Sequence, residues 1–522
     1  MENESNLQPL LSEEGHPQIH IASLKAVPDI KPIKVPKDFF SEFWVESKKL
    51  WPLAGPAIFT SLCQFSFSFI TQALVGHLGD LELAAFSVQY GVTSSFTVGI
   101  MIGMGSALET LCGQAYGANQ LDMMGVYLQR SWIILGTTGL VLSPLYIFSK
   151  QLLMAIGQNE EISRRAGQLA IWMIPQLFAY ALNYPISKYL QAQSKMLAMA
   201  VISFVVMLIN FVLSWAFIFK LKWGLFGAAM AENVSWWLLV LAQLVYIFGG
   251  SCGSAWSGFS WKAFQNLWEF VKLSIASAVM LCLEVWYFTA LVLFAGYLKN
   301  PKIAVDALSI CTSILSWVMM VAFGYNAAIR IDSMFTSTSD SPQCMHSVRV
   351  SNELGAGHPR TAKFSVFVVV AYSFACGLLF ALILFIFRNQ YAIAFTESNS
   401  VRNAVYHLTP LLVISIILNT VQPVLSGVAI GAGWQAIVAY VNIGSYYVLG
   451  VPLGLIFGYK LNLGVSGIWW GMIVGTVVQT AILFILTYTT NWDKESSDAE
   501  DRIRKWSGEP TCDDNDAETF SR

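Results

Sequence analysis

The chain has 522 residues, of which only 12% are charged while 55% are apolar and 14% aromatic. A soluble surface needs roughly a quarter of its residues charged, so most of this exterior must meet something other than water. The formal net charge of −2 offers no basic patch, and no nucleic acid is expected as a partner.

In chain order, residues 1–48 are polar and contain Pro. They read as a solvated, disordered tail, and Met1–Phe40 lacks the apolar core of a cleaved signal peptide. Twelve apolar runs follow, at residues 50–74, 84–111, 129–149, 164–187, 196–219 and 225–249, then 268–297, 304–329, 365–388, 403–426, 435–458 and 465–490. Each is near the ~20 residues that a helix needs to cross a hydrocarbon layer of about 30 Å. Lipid offers no partner to a free backbone group, and runs this long and continuous fit helices, not barrel strands. The expected fold is an all-α membrane protein with twelve transmembrane helices. Residues 491–522 turn polar and acidic again and read as a second disordered tail.

With twelve spans both tails share a side. That side carries Lys34, Lys37, Lys48, Lys49, Arg349, Arg360, Lys363 and Lys494 among others, and the opposite loops carry fewer cations, such as Lys150, Arg164, Arg165 and Lys460. The positive-inside tendency places both termini in the cytosol. Trp51, Trp223, Trp268 and Trp492 fall at span edges and read as interface anchors. The Cys residues show no C-x-x-C spacing and no accompanying His pattern, so no metal site is expected. Thiols within spans, such as Cys63 and Cys282, pack as small apolar groups. Nothing resembles a Walker loop; no cofactor is expected, and an ion gradient or passive movement is left as the energy source.

The chain repeats itself once. Lys220-Leu221-Lys222-Trp223-Gly224 and Gly227 recur as Lys460-Leu461-Asn462-Leu463-Gly464 and Gly467, and Leu53 through Gln64 pairs loosely with Leu273 through Glu284. Residues 49–250 then form one lobe and residues 251–490 another. Six spans per copy give both copies the same orientation, a parallel repeat that can enclose a cavity and alternate its access by rocking.

Polar groups within the spans are the most informative. Glu284 lies about 24 Å along its helix from Trp268 at 1.5 Å per residue. A carboxylate there costs several kcal/mol unless it is protonated or faces a wet cavity, and such groups mark ion or proton pathways. Its counterpart in the first copy, Gln64, cannot titrate. Ser61, Gln64, Ser68 and Gln72 share one helix face, as do Ser415, Asn419, Gln422 and Ser426. These stripes read as cavity lining or as glue between helices. Pro423 invites a kink, and Pro52 and Pro56 an irregular start to the first span. Glu232, about two turns into its span, reads as shallow enough to reach the interface and ranks below Glu284. Asp306 reads as a helix cap.

The run Gly103-Met104-Gly105-Ser106-Ala107-Leu108-Glu109-Thr110-Leu111-Cys112-Gly113-Gln114-Ala115-Tyr116-Gly117 resembles a signature of plant multidrug and toxic compound extrusion (MATE) transporters. So do Ala276–Glu284, Val348–Gly357 and Gln422–Ala429, and the similarity extends over about Leu50 to Trp492. The resemblance implies two six-helix lobes around a V-shaped cavity and movement of organic compounds in exchange for protons. Flavonoids, alkaloids and xenobiotics are the substrate classes it suggests, and the vacuolar or plasma membrane the location. The chain is expected to act as a monomer.

Two departures from the family pattern stand out. Where other plant members carry an acidic residue in the tenth span, this chain has Asn419, which leaves Glu284 as the proton carrier of the second lobe. The polar residues Arg330–His346, with Pro342, interrupt the family pattern between Ile329 and Ser347, like a splice-boundary extension. Two further readings stay open: passive anion conduction through the same cavity, and a chain inactivated by that insert.

Overall fold

Residues 36–117, 120–265, 267–295, 301–328, 358–388, 390–394 and 398–498 are described by a computed structural model. Among them all regular structure is helical, as the uninterrupted apolar runs require in lipid. The first half comprises α1 (Pro36–Val75), α2 (Asp80–Gly117, with a π turn at Gln89–Ser94), α3 (Leu121–Ile147), α4 (Glu160–Trp172 and Ile174–Ala192), α5 (Met196–Lys220) and α6 (Gly224–Ser251). The second half comprises α7 (Leu267–Ala295), α8 (Pro301–Ala328), α9 (Pro359–Ile386), α10 (Asn399–Ala432), α11 (Gln435–Lys460) and α12 (Gly464–Thr489). Large apolar side chains such as Leu197, Val245, Leu382 and Val448 stand exposed on the outside, the surface that a lipid solvent favours.

The repeat is written into the backbone. Lys222 and Asn462 hold φ of 55° and 54°, and Gly224 and Gly464 hold 56° and 59°. The π turns Ala216–Lys220 and Ile456–Lys460 precede them at equivalent positions. Left-handed conformations disfavour a Cβ, so the matching glycines mark one tight turn used twice.

Several boundaries differ from the sequence reading. The first helix is described from Pro36 onward and already covers residues 36–48, ahead of the span start near residue 49. Proline suits the opening turn, where its missing N–H has no partner to lose, and Asp38 complements the helix dipole. These early turns are held by rings: Phe39 meets Phe364 and Phe367 of α9 at 5.8 and 5.6 Å, and Phe43 stacks on Tyr372 at 5.6 Å. Pro52 and Pro56 consequently lie inside α1 rather than at an irregular start. Pro423 likewise sits within the continuous helix α10. Residues 492–498 are helical rather than tail-like, and Trp492 is buried against Trp434 (ring centroids 6.1 Å) instead of anchoring at an interface.

Residues 253–264 still belong to the first half by packing. Gln129 on α3 donates to the Gly258 carbonyl (3.0 Å) and accepts from the Ser260 N–H (2.9 Å), and Arg130 donates to the Lys262 carbonyl (3.2 Å). Residues 1–35 and 499–522, and the interrupting segment 330–346, lie outside the described residues.

The halves meet through α2 against α7 and α1 against α8. Thr110 on α2 donates to the Ile430 carbonyl of α10 (2.6 Å) and accepts from Gln435 of α11 (2.9 Å). Gln114 reaches the Gly431 carbonyl at 3.4 Å. These buried bonds tie the ends of α2 and α10 together on the side of the membrane where residues 36 and 498 lie.

Candidate functional site

A cavity of about 420 Å³ opens within the first half, beside the seam between the halves. Drug-sized ligands occupy sites of roughly 300–1,000 Å³. One wall is the polar face of α1, carrying Thr60, Ser61, Gln64 and Ser68. Facing it are Tyr90 and Ser94 from the π turn of α2, Tyr180 and Tyr184 from α4, and Trp236 from α6. Met196, Met199 and Met320 supply adaptable apolar surface. Leu281, Phe323 and Ile430 come from the second half.

The carboxylate and ammonium in this lining are Glu109 and Lys188, paired at 3.2 Å between Oε1 and Nζ. A charge in lipid is tolerated when it is paired, and the pair leaves the cavity without net charge from these two. The sequence reading singled out neither residue, nor the aromatic wall. Glu109 lies inside a family-like run and Lys188 near a span end; only their occurrence within apolar segments signals them. Tyr90 carries no periodic signal because the π turn shifts it out of α-helical register.

The structure separates the two polar stripes. Ser61, Gln64 and Ser68 line the cavity, and Gln64 Nε2 lies 3.4 Å from Ser203 Oγ on α5. Gln72, a turn further on, turns away to donate to Ser87 at 2.9 Å. Ser415, Asn419 and Gln422 do not reach this cavity. Their face of α10 is turned into the second half, where each is at most 2% exposed. Trp469 donates to Ser415 Oγ (2.7 Å), Asn419 returns to the Ser415 carbonyl (2.8 Å), and Gln422 donates to Ser426 (3.0 Å). These bonds engage the buried indole N–H and the amide N–H groups, which need partners, while among the described residues Gln422 Oε1 receives no hydrogen bond.

Glu284 lies in this second-half interior, 6% exposed, beside the Gln422 side chain and near Tyr446. Tyr446 stacks on Tyr287 at 4.3 Å, and Tyr287 donates to carbonyls of α12. Glu284 is not part of the 420 Å³ cavity wall, although Leu281, one turn away, is. Glu232 is fully buried, not at the interface. Its Oε2 accepts from Gln176 Nε2 at 3.4 Å and Trp236 Nε1 at 3.3 Å. The expected cap Asp306 has a side chain outside the described set.

Two helical lobes related by a repeat, with a polar and aromatic cavity beside their seam, are the layout of a membrane transporter. Comparison with known proteins gives the family. The MatE family model matches residues 56–216, 276–332 and 344–456, and its match breaks inside the 330–346 segment. Among relatives, Protein DETOXIFICATION 32 of Arabidopsis thaliana is 57% identical over 489 residues, covering 94% of this chain and 92% of that protein. Protein DETOXIFICATION 29 of the same organism is 58% identical, covering 93% of each. The crystal structure of the eukaryotic MATE transporter AtDTX14 superposes with a TM-score of 0.82 at 35% identity, over 88% of this chain and 99% of that one. The Vibrio cholerae MATE transporter VcmN shares the fold, with a TM-score of 0.72 at 18% identity, over 88% of this chain and all of that one. The chain belongs to the MATE family, whose members are secondary transporters of small organic solutes.

Proposed function

We propose that this protein moves amphipathic aromatic compounds, such as flavonoid glycosides, alkaloids or xenobiotics, out of the cytosol in exchange for protons. The observation that carries the reading is the cavity, with a wall of hydroxyls and an amide facing a wall of tyrosine and tryptophan. Such a lining suits a planar ring bearing hydroxyl or sugar groups. Relatives named DETOXIFICATION agree with a cargo of foreign or secondary compounds. The membrane is vacuolar or plasma membrane, with both termini cytosolic, in keeping with the cation bias of the loops. Glu284 is the proton carrier, and rocking of the two halves alternates access.

The test is uptake of quercetin 3-glucoside into liposomes that hold the full chain and an acidic lumen. Uptake is expected to need the pH gradient. Equal uptake without a gradient would replace exchange with passive movement, as an anion conduit would show. Within this assay, Gln64→Leu is expected to raise KM three- to tenfold, the loss of about one hydrogen bond at ~0.5–1.5 kcal/mol. Tyr184→Ala is expected to raise it further by removing a stacking face. Gln72→Leu, whose amide bonds Ser87 outside the cavity, should leave KM unchanged. Wild-type KM in both cavity variants would take the cavity out of the mechanism.

A further inference from the structure

Glu232 sits behind the aromatic wall of the cavity rather than in it. The residues around it are contributed by four helices: Thr71 of α1, Tyr90 of α2, Gln176 and Tyr180 of α4, and Trp236 beside it on α6. Tyr90, Tyr180 and Trp236 all show another edge to the cavity. Gln176 is the centre of the set, its Nε2 lying 3.4 Å from Glu232 Oε2, 3.3 Å from the Tyr90 hydroxyl and 2.7 Å from the Tyr180 hydroxyl. The Tyr90 and Thr71 hydroxyls lie beside the carboxylate, yet among the described residues Oε1 receives no hydrogen bond of good geometry. A fully buried carboxylate with one oxygen served and the other open is costly unless something else joins it.

The chemistry of the neighbours selects what joins it. An indole N–H donates only, and the amide presents its nitrogen. Among the described residues no cluster of three His, Cys, Asp or Glu exists to hold a metal ion. Among the described residues no Lys, Arg or His lies against the carboxylate from the helices packed around it. The titratable groups that face it are the phenols Tyr90 and Tyr180, with Tyr146 of α3 beyond them. A proton fits the open Oε1 without disturbing the bonds on Oε2. Tyr90, touching both the cavity and the carboxylate, is the route by which it arrives.

We propose that Glu232 is a second proton-exchange site, in the first half, reached from the substrate cavity through Tyr90. Hydronium in the cavity gives up its proton to the carboxylate and leaves as water; the reverse step releases it. The proposal rests on proton-coupled transport only for its use, since the site itself can be seen without transport. It assigns the first half a titrating group in the place where Gln64, the repeat partner of Glu284, has none.

Infrared pH-difference spectra of the full chain in liposomes test it directly. In the Glu284→Gln background one component of the carboxylic acid C=O band, isolated as the difference between spectra with and without Glu232→Gln, is expected to grow as pH falls. A band unchanged by Glu232→Gln, or no band in the Glu284→Gln background, would overturn the assignment. Tyr90→Phe keeps the ring and removes the hydroxyl, so the band should shift even where Glu232→Gln fails to fold; an unmoved band there also overturns it. In the uptake assay Glu232→Gln is expected to lower gradient-driven quercetin 3-glucoside uptake at least about fivefold, the low end for coupled sites. If wild-type protein shows no gradient-driven uptake while the band behaves as stated, the transport reading fails and this site stands.

Discussion

Glu284→Gln is expected to reduce pH-gradient-driven uptake to the level of protein-free liposomes while the protein still folds and binds substrate. The substitution keeps the volume and can keep the contact with the Gln422 side chain, so packing in the second half is preserved. It removes the single property that an exchange cycle needs, a group that alternates between neutral and charged. A charged carboxylate beside Tyr446 and Gln422 is costly in a lipid-surrounded interior, and a neutral one is not. The proposed exchange cycle rests on that difference: protonation would permit one arrangement of the halves and release the other. Asn419 cannot take over the role, because an amide does not titrate and its Nδ2 is already engaged by the Ser415 carbonyl. The rate should also lose its dependence on pH across the range where the wild type responds. Uptake that keeps its gradient dependence in Glu284→Gln would remove this residue from the mechanism. Binding of quercetin 3-glucoside, measured by quenching of the cavity-wall Trp236, checks that the loss lies in coupling and not in the cavity.

What could be read before any coordinates was the part of the fold that lipid dictates. A backbone in hydrocarbon must bond to itself, so the apolar runs had to be helices, and the matched Lys222 and Asn462 turns exposed the repeat. Helix ends were less legible, since residues 36–48 look polar in composition, yet Phe39 and Phe43 find rings on α9. The site was half legible. A three-and-four spacing tells which residues share a face but not what that face meets. The stripe on α1 meets open space, and the equivalent-looking stripe on α10 meets Trp469 and Glu284. Glu232 was underrated for a similar reason. Its distance from the helix start suggests an interface, whereas the bundle around it is thick enough to bury it completely. Tyr90's place in the aromatic wall depends on a π turn, a backbone irregularity that no residue pattern announced.

The seam between the halves carries the other large expected effect. Gly103 on α2 crosses Ala278 on α7 so closely that a Cβ on the glycine would overlap the Ala278 backbone. Gly324 on α8 crosses Ile58 on α1 in the same way, a Cβ there falling 2.5 Å from Ile58 Cα. The glycines stand 221 positions apart and their partners 220, the offset of the first spans in the repeat. The two contacts are therefore one contact made twice, on either side of the seam, as a pair of pivots must be if one half is to rock against the other. Backbone cannot yield as a side-chain tip does, so Gly103→Ala or Gly324→Ala forces the helices apart at a cost of about 1–3 kcal/mol or more. That cost falls on the arrangement of the halves and spares each half's own packing. Gly471 is the comparison, because its close neighbours, Gly454 and the Gly450 carbonyl, belong to the same half. Gly471→Ala is expected to lower the unfolding temperature of the purified protein. Gly103→Ala and Gly324→Ala are expected instead to lengthen label-to-label distances between α2 and α7, or α1 and α8, and to cut turnover with smaller loss of thermal stability. Equal thermal loss in all three variants, with inter-half distances unmoved, would mean that these crossings only hold the bundle together and that the halves turn about some other contact.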